Sequence, residues 1–267
     1  MVDYDKYQHM KIEKQDKVAT VTLNRPEILN AVGPQLHWEL AHIFEDLERD
    51  EEVYATVLTG AGRGFCSGGE RGREAERQQQ DQLPALRQTF QEARKIIYDF
   101  LDMEKPIIAA VNGPAVGLGA TIALFCDIII ASEHARFGDT HVRVGVVAGD
   151  GGAIIWPLLA GVAKAKELLL TAEIIDAPEA LRIGLVNRVV PSEETMPVAM
   201  DLAQQLANSP PMAVRWTKRA LNKRLREDVN LILDGSLGLE EHTMLTEDRL
   251  EAGKAWAEKR TGVYRGR

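Results

Sequence analysis

The sequence predicts an α/β protein, with a core of alternating strands and helices followed by a helical C-terminal region. Short β-branched runs alternate with segments whose apolar residues recur at helical spacing as far as Val190. Strand signals stop after Pro191, and the later segments have helical periodicity. At 267 residues the chain is near the upper size of one domain, so one core plus an appendage is expected. We predict the core at residues 1–195 and the helical region at residues 196–267.

The N-terminal part of the core predicts a strand–helix–strand unit. Residues 17–23 are rich in β-branched side chains and run toward Pro26, which cannot pair within a sheet. Residues 34–49 place apolar side chains at helical spacing, and residues 53–58 return to strand character.

The same alternation recurs in the middle of the chain. Residues 84–101 predict a helix whose Pro84 suits the first turn, and residues 106–111 predict a strand. A short helix is predicted at residues 117–125. The continuous apolar run at residues 127–131 predicts a strand covered on both faces.

The C-terminal region predicts helices only, after a further core helix at residues 153–159. These helices are predicted at residues 193–207, 211–225, 229–244 and 248–259, and prolines or acidic residues mark where each one begins. The polar run at residues 78–82 fits a mobile loop.

Composition excludes several classes of protein. The net charge is -8, and the basic residues are scattered except for one cluster typical of a solvated helix face, so no nucleic-acid partner is expected. The two cysteines are too few for a disulfide framework or a zinc site, and they suit a reducing cytoplasm. The charged N-terminus does not resemble a signal peptide, and the most apolar stretch, residues 121–132, is too short to span a membrane. We therefore expect a soluble cytoplasmic protein.

Three glycine clusters invite comparison with phosphate-binding loops, at residues 60–64, 117–119 and 149–152. None completes a dinucleotide fingerprint or a P-loop. Residues 112–119 pass from a buried strand into a helix, a geometry that can point the amide of residue 118 or 119 at a carbonyl oxygen. From glycine content alone, a tight turn needed only for packing is equally consistent.

A series of motifs in fixed order resembles the enoyl-CoA hydratase/isomerase, or crotonase, superfamily. The motifs lie at residues 24–31, 64–68, 105–113, 126–131, 135–138, 170–172, 184–188 and 258–267. The resemblance implies a crotonase-type spiral of strand-strand-helix repeats with a C-terminal helical trimerisation region. It also implies a homotrimer or a dimer of trimers.

The resemblance places an oxyanion hole on the backbone N–H groups of Ser67 and Leu118. The adjoining Cys66, Gly68 and Gly117 are then expected to contact the substrate. The implied substrate is an acyl-CoA thioester, and CoA is expected only as part of that substrate, with no separate cofactor and no metal.

Two positions depart from the family pattern. Hydratases of the family carry two glutamates, and the matching positions in this chain hold Thr121 and His141. Thr121 is expected to contact the substrate. Threonine does not ionise near neutral pH, whereas a histidine with an unperturbed pKa of about 6.5 is a competent general base. Asp150 either caps the following helix or orients the imidazole of His141.

Other polar residues are weaker candidates. Glu241 and His242 lie on a predicted C-terminal helix and either approach the site or face solvent or another subunit. We interpret the remaining histidines as structural or surface residues; they are His9, His37, His42 and His134.

Three functions remain open on these residues. The first is an acyl-CoA enzyme, a hydratase or isomerase, with His141 as general base in place of glutamate. The second is a CoA-independent β-diketone hydrolase that cleaves a carbon–carbon bond, because the histidine, the aspartate and residues 147–157 resemble that group, of which 6-oxocamphor hydrolase is the type member. The third is a non-catalytic crotonase scaffold.

Overall fold

The computed structural model describes residues 2–70 and 82–267, so residues 78–81 of the predicted polar loop lie outside the described part. The strands are β1 (Met10–Gln15), β2 (Val18–Leu23), β3 (Ala55–Gly60), β4 (Ile107–Val111), β5 (Pro114–Val116), β6 (Ile128–Ser132), β7 (Arg136–Gly138), β8 (Ile174–Asp176) and β9 (Arg188–Val190). The helices are α1 (Pro34–Arg49), α2 (Gln82–Asp102), α3 (Leu118–Leu124), α4 (Gly152–Ala160), α5 (Val162–Thr171), α6 (Ala177–Arg182), α7 (Thr195–Ala207), α8 (Pro211–Met244) and α9 (Glu247–Ala257).

A six-stranded sheet with the order β1-β2-β3-β4-β6-β9 forms the core. Only the β1 and β2 pair is antiparallel; the other neighbours in this sheet are parallel. The strands predicted from β-branched runs are β2, β3, β4 and β6. Sequence reasoning missed β1, whose side chains are mostly polar and exposed because it lies at the edge of the sheet.

Helices cover this sheet on both faces. On one face α1 and α2 pack over it, with the rings of Phe44 and Phe100 centred 4.1 Å apart. On the other face the alanines of α7 pack against alternate residues of the strands. Every residue of β4 is consequently buried, which explains its continuous apolar sequence.

A small second sheet positions the loops of the site. In it β7 lies between β5, to which it is parallel, and β8, to which it is antiparallel. Cys66 forms a parallel bridge with Ala115 of β5. This arrangement brings residues 66–68, 117–119 and 138–141 together at one end of the core.

Helix α8 is a single helix of 34 residues, where the sequence predicted two. The acidic residues taken as a new start instead continue the helix, because Arg224 forms ion pairs one turn away with Glu227 and Asp228. Lys218 anchors α8 to the core through Asp127, at 2.8 Å, and the carbonyl of Lys105. Among the described residues, no helix has the length and apolar character needed to cross a membrane.

Candidate active site

Two glycine-containing loops lie in direct backbone contact and form the base of the site. The N–H of Val116 donates to the carbonyl of Cys66 at 2.9 Å. A side chain at Gly119 would collide with that same carbonyl, so glycine is required there. Gly117 has φ +56° and ψ -128°, a conformation that other residues rarely adopt, and it turns the chain from β5 into α3.

The two predicted oxyanion donors differ in their surroundings. Leu118 is the first residue of α3, where helix geometry gives an N–H group no acceptor within the helix. The N–H of Ser67 donates to the carbonyl of Leu29 at 3.0 Å. A substrate oxygen would therefore share the hydrogen of Ser67 with Leu29, whereas the Leu118 amide is the stronger candidate donor.

His141 directs its ring toward these loops. It follows β7, whose last residue, Gly138, accepts a hydrogen bond from the N–H of Gly117. A methyl group added at Gly117 would lie 3.7 Å from Cε1 of His141. The imidazole thus lies beside Gly117, the residue that precedes Leu118.

Asp139 holds His141 in this orientation. Its Oδ1 lies 2.7 Å from Nδ1 of His141 and also accepts the His141 backbone N–H at 3.1 Å. The His141 side chain retains 15% exposure, whereas the Asp139 side chain retains 1%. The buried carboxylate of Asp139 therefore fixes the orientation of the ring through Nδ1, and Nε2 remains available for proton transfer.

Asp150 lies on the other side of the ring. Its Oδ2 is 3.5 Å from Nε2 of His141, and its Oδ1 accepts a hydrogen bond from Oγ1 of Thr121 at 3.4 Å. The next residue, Gly151, has φ +115° and packs against Thr121. A carboxyl group thus lies beside the short residue at position 121.

Glu240 of α8 is a further buried carboxyl near this group. Ser236 of the same helix donates to the carbonyl of Gly149 at 2.7 Å, and Thr243 accepts from the N–H of Val147 at 3.1 Å. A methyl group added at Gly149 would lie 2.8 Å from Oε2 of Glu240, which has no hydrogen-bond partner among the described residues. The carboxyl of Glu240 therefore packs over the residue next to Asp150.

Burial and mutual charge shift the ionisation of this cluster. Burial favours neutral His141, but the carboxylates of Asp150 and Asp139 outweigh it and raise its pKa well above the ordinary value. Burial likewise opposes ionisation of Asp139, yet its contacts with His141 lower its pKa. Burial raises the pKa of Asp150, and burial together with the charge of Asp150 raises the pKa of Glu240 to about 8. An imidazolium–carboxylate pair therefore adjoins two further carboxyls, those of Asp150 and Glu240, whose pKa values are raised.

The structure brings most of the predicted residues together. The site contains the loops of Cys66, Ser67 and Gly68, the segment Gly117 and Leu118, and the side chains of Thr121, His141 and Asp150. Glu241 is half-buried and His242 is exposed, and within the described part of the chain neither side chain forms a hydrogen bond or ion pair with these residues.

Sequence reasoning missed Asp139 and Glu240. It offered Asp150 either as a helix cap or as the orienter of His141, whereas the structure gives the short contact at Nδ1 to Asp139 and places Asp150 at the opposite nitrogen. The position of Asp139, two residues before His141, was an available signal because aspartate side chains commonly bond backbone N–H groups just ahead. For Glu240 there was no such signal.

Three of these residues offer donor atoms of the kind that metals use. The ligand atoms of Asp139, His141 and Asp150 lie within 4.8 Å of one another. Since Asp139 already bonds Nδ1 of His141 at 2.7 Å, hydrogen bonding accounts for the arrangement without an ion.

The fold and the site together combine an α/β core with two glycine-containing loops beside a histidine that a buried carboxylate orients. The sequence model of the enoyl-CoA hydratase/isomerase family matches residues 13–267. This chain belongs to that family, and the predicted crotonase superfamily fold is confirmed.

Curated relatives and solved structures agree with this assignment. A short-chain-enoyl-CoA hydratase of Clostridium acetobutylicum is 39% identical over 250 residues, covering 93% of this chain and 94% of that protein. The 2,3-dehydroadipyl-CoA hydratase of Escherichia coli is 34% identical over 261 residues, with 96% and 98% covered. The crystal structure of an enoyl-CoA hydratase/isomerase from Mycobacterium paratuberculosis superposes with a TM-score of 0.89 at 37% identity, covering 94% of this chain and 99% of that one.

Proposed function

We propose that this chain catalyses water addition to, or elimination from, an acyl-CoA thioester, with His141 as general base. One observation carries the proposal: the ring of His141 lies beside Gly117, the residue before Leu118, while Asp139 holds its Nδ1 at 2.7 Å. A base with its orienter, next to a donor aimed at an oxygen, is the arrangement that enolate chemistry requires.

The amides act on the thioester oxygen. As water adds to Cβ of a 2-enoyl thioester, the double-bond electrons move toward this oxygen and an enolate forms. The N–H of Leu118, joined by a shared N–H of Ser67, stabilises that charge, and each such donor contributes about 3 kcal/mol in comparable sites.

The side chains complete the proton balance. Nε2 of His141 takes one proton from the water as its oxygen bonds to Cβ. The imidazolium passes this proton across the 3.5 Å gap between Nε2 and Oδ2 to the carboxylate of Asp150, which delivers it to Cα as the enolate collapses. Hydratases of the family carry their second carboxyl at the position of Thr121. In this chain Asp150, which accepts a hydrogen bond from Thr121, supplies that carboxyl instead.

Hydration of crotonyl-CoA, followed by loss of its enoyl absorbance, tests the role of His141. We expect His141→Gln to lower kcat by about 10²- to 10⁴-fold, because glutamine keeps the polarity but transfers no proton. KM should change by less than about threefold, since the amides hold the thioester. His134→Gln, at an exposed histidine, is the matched control. A His141→Gln enzyme with the turnover of this control would contradict the assignment.

A second candidate is the CoA-independent β-diketone hydrolase. The observation that favours it is the buried Asp139–His141 pair, which would equally activate water for attack on a ketone. Calorimetric titration with acetoacetyl-CoA separates the two functions. Saturable binding supports the acyl-CoA proposal; no binding at millimolar ligand, with cleavage of a cyclic 1,3-diketone, supports the hydrolase.

A further inference from the structure

A buried serine of helix α8, Ser236, holds the residue that precedes Asp150. Its Oγ donates to the carbonyl of Gly149 at 2.7 Å, and the serine is 7% exposed. The helix and the loop touch so closely that a methyl group added at Gly149 would lie 2.4 Å from the carbonyl oxygen of Ser236. Removing the hydroxyl would leave a buried carbonyl without its donor. Ser236 therefore fixes the backbone directly next to Asp150.

A second hydroxyl of α8, two turns further along the helix, holds the other end of the same loop. Oγ1 of Thr243 accepts the N–H of Val147 at 3.1 Å and donates to the carbonyl of Glu240 at 2.8 Å. Because this hydroxyl uses both its donor and its acceptor, the orientation of the threonine side chain is fixed. Residues 147–149 are therefore fastened to α8 at both ends.

The polar contacts of the Asp150 side chain itself are long. Its Oδ2 lies 3.5 Å from Nε2 of His141, and its Oδ1 accepts from Thr121 at 3.4 Å. By comparison, Asp139 reaches Nδ1 of His141 at 2.7 Å. Proton transfer takes place at about 2.6–3.2 Å between heavy atoms, so a small displacement of Asp150 decides whether it can exchange a proton with His141. The backbone position of the loop therefore sets this distance.

We propose that Ser236 and Thr243 are positioning residues that keep the carboxyl of Asp150 within reach of Nε2 of His141. For its catalytic consequence, this inference rests on the proposed acyl-CoA function. The proton that His141 takes from water passes through Asp150 to Cα. A loop released from α8 would therefore slow turnover, while the thioester would still bind at the backbone amides.

Four variants isolate the two hydroxyls. Ser236→Ala removes the donor to Gly149, and Thr243→Val keeps the shape of the side chain but removes its hydroxyl. Thr243→Ser keeps the hydroxyl and is the matched control for Thr243→Val. Asn230→Ala is the control for weaker docking of α8, because Asn230 of this helix accepts a hydrogen bond from Tyr98 of α2 at 2.8 Å.

Hydration of crotonyl-CoA by the full-length chain provides the first readout. We expect Ser236→Ala and Thr243→Val each to lower kcat by about tenfold or more, because a misplacement of about 1 Å at a reacting group can cost about 10²-fold. KM should stay within about threefold, since the amides that bind the thioester are unaltered. Thr243→Ser and Asn230→Ala should keep kcat within about threefold of the wild-type value.

Titration of the His141 ring, followed by NMR on protein with isotope-labelled histidine, reports the position of Asp150 without substrate. Burial lowers the pKa of His141, and the charges of Asp150 and Asp139, with that of Glu240 from α8, raise it. Retreat of Asp150 should therefore lower the pKa of His141 in the two variants that lose a hydroxyl, and both controls should titrate as wild type does. His141→Gln identifies the signal.

The outcomes separate this inference from the function on which it rests. A normal kcat and an unchanged pKa of His141 in Ser236→Ala and Thr243→Val would overturn the positioning role and leave the acyl-CoA function standing. An equal loss of kcat in Asn230→Ala would also overturn it, by assigning the effect to the docking of α8 as a whole. If wild type hydrates no enoyl-CoA, the proposed function fails. A lowered pKa of His141 in the same two variants would then still support the positioning role, and an unchanged pKa would overturn it.

Discussion

At the residue scale, the environment of His141 decides its chemistry. The family resemblance identified the position, and residue types alone identified Thr121 as unable to act as a base. Which carboxylate holds the ring could not be predicted, because Asp139 and Asp150 both lie close in sequence and only the turn after β7 places Oδ1 of Asp139 at Nδ1. The same geometry raises the pKa of His141, a shift that its sequence neighbours do not reveal.

The pH dependence of activity follows from that shift. Because His141 must be neutral to accept a proton, kcat/KM for crotonyl-CoA should rise with pH through a pKa above 6.5. Asp139→Asn removes one of the charges that raise this pKa, so the rising limb should move to lower pH. The plateau should also fall by about 10²- to 10⁴-fold, because an asparagine can stabilise the wrong tautomer of the ring.

Complete pH–rate profiles of the wild type and Asp139→Asn provide the measurement. A lower plateau with an unmoved limb would show that Asp139 supports the loop without acting on the imidazole. A wild-type limb below pH 6.5 would contradict the charge arrangement described for the site.

At the scale of secondary-structure elements, α8 delivers a carboxyl to the site from the C-terminal region. The helical periodicity of this segment could be predicted, but the choice between Glu240 and Glu241 could not. Burial of one and partial exposure of the other depend on how α8 packs against residues 147–151, which are distant in sequence. The joined length of α8 was missed for the related reason that ion pairs stabilise an acidic run within the helix.

Glu240 should make the protein less stable as the pH rises. In the folded protein the pKa of Glu240 is about 8, against an ordinary value of 4.5. As the pH rises, the unfolded chain therefore loses this proton at a lower pH than the folded protein does. Stability therefore falls between about pH 4.5 and 8, by at most roughly 1.4 kcal/mol per pH unit. Glu240→Gln removes this loss, and its Tm relative to wild type should rise from pH 5 to pH 9.

Thermal unfolding of Glu240→Gln and Glu241→Gln across this pH range tests the assignment. Glu241→Gln, at the neighbouring half-buried glutamate, is the matched control. Parallel behaviour of the two variants would mean that Glu240 ionises normally in the folded protein.

At the scale of the whole molecule, the fold class and most core strands could be predicted from sequence. The second sheet could not, since β5, β7 and β8 have three residues each and show no periodicity. Homotrimers or dimers of trimers stay a prediction; exposed apolar side chains around α5, among them Val162 and Leu170, suit such an interface. The division at residues 195 and 196 also stays a prediction; it falls at the start of α7, which packs on the core sheet.

The meeting of β5 and α3 creates the feature that matters most for the proposed chemistry, the amide of Leu118, for which no acceptor is found within the described residues. Proline lacks this N–H and is tolerated in the first turn of a helix, where Leu118 lies. Leu118→Pro therefore deletes the donor, whereas Leu118→Ala shortens the side chain and keeps the donor. Both variants must first show cooperative unfolding with similar Tm values.

The turnover number of Leu118→Pro relative to Leu118→Ala on crotonyl-CoA tests the central claim most directly. Loss of one oxyanion donor should lower kcat by about 10²- to 10³-fold in the proline variant, with the alanine variant near wild type. Equal turnover in two folded variants would contradict a catalytic role for the Leu118 amide.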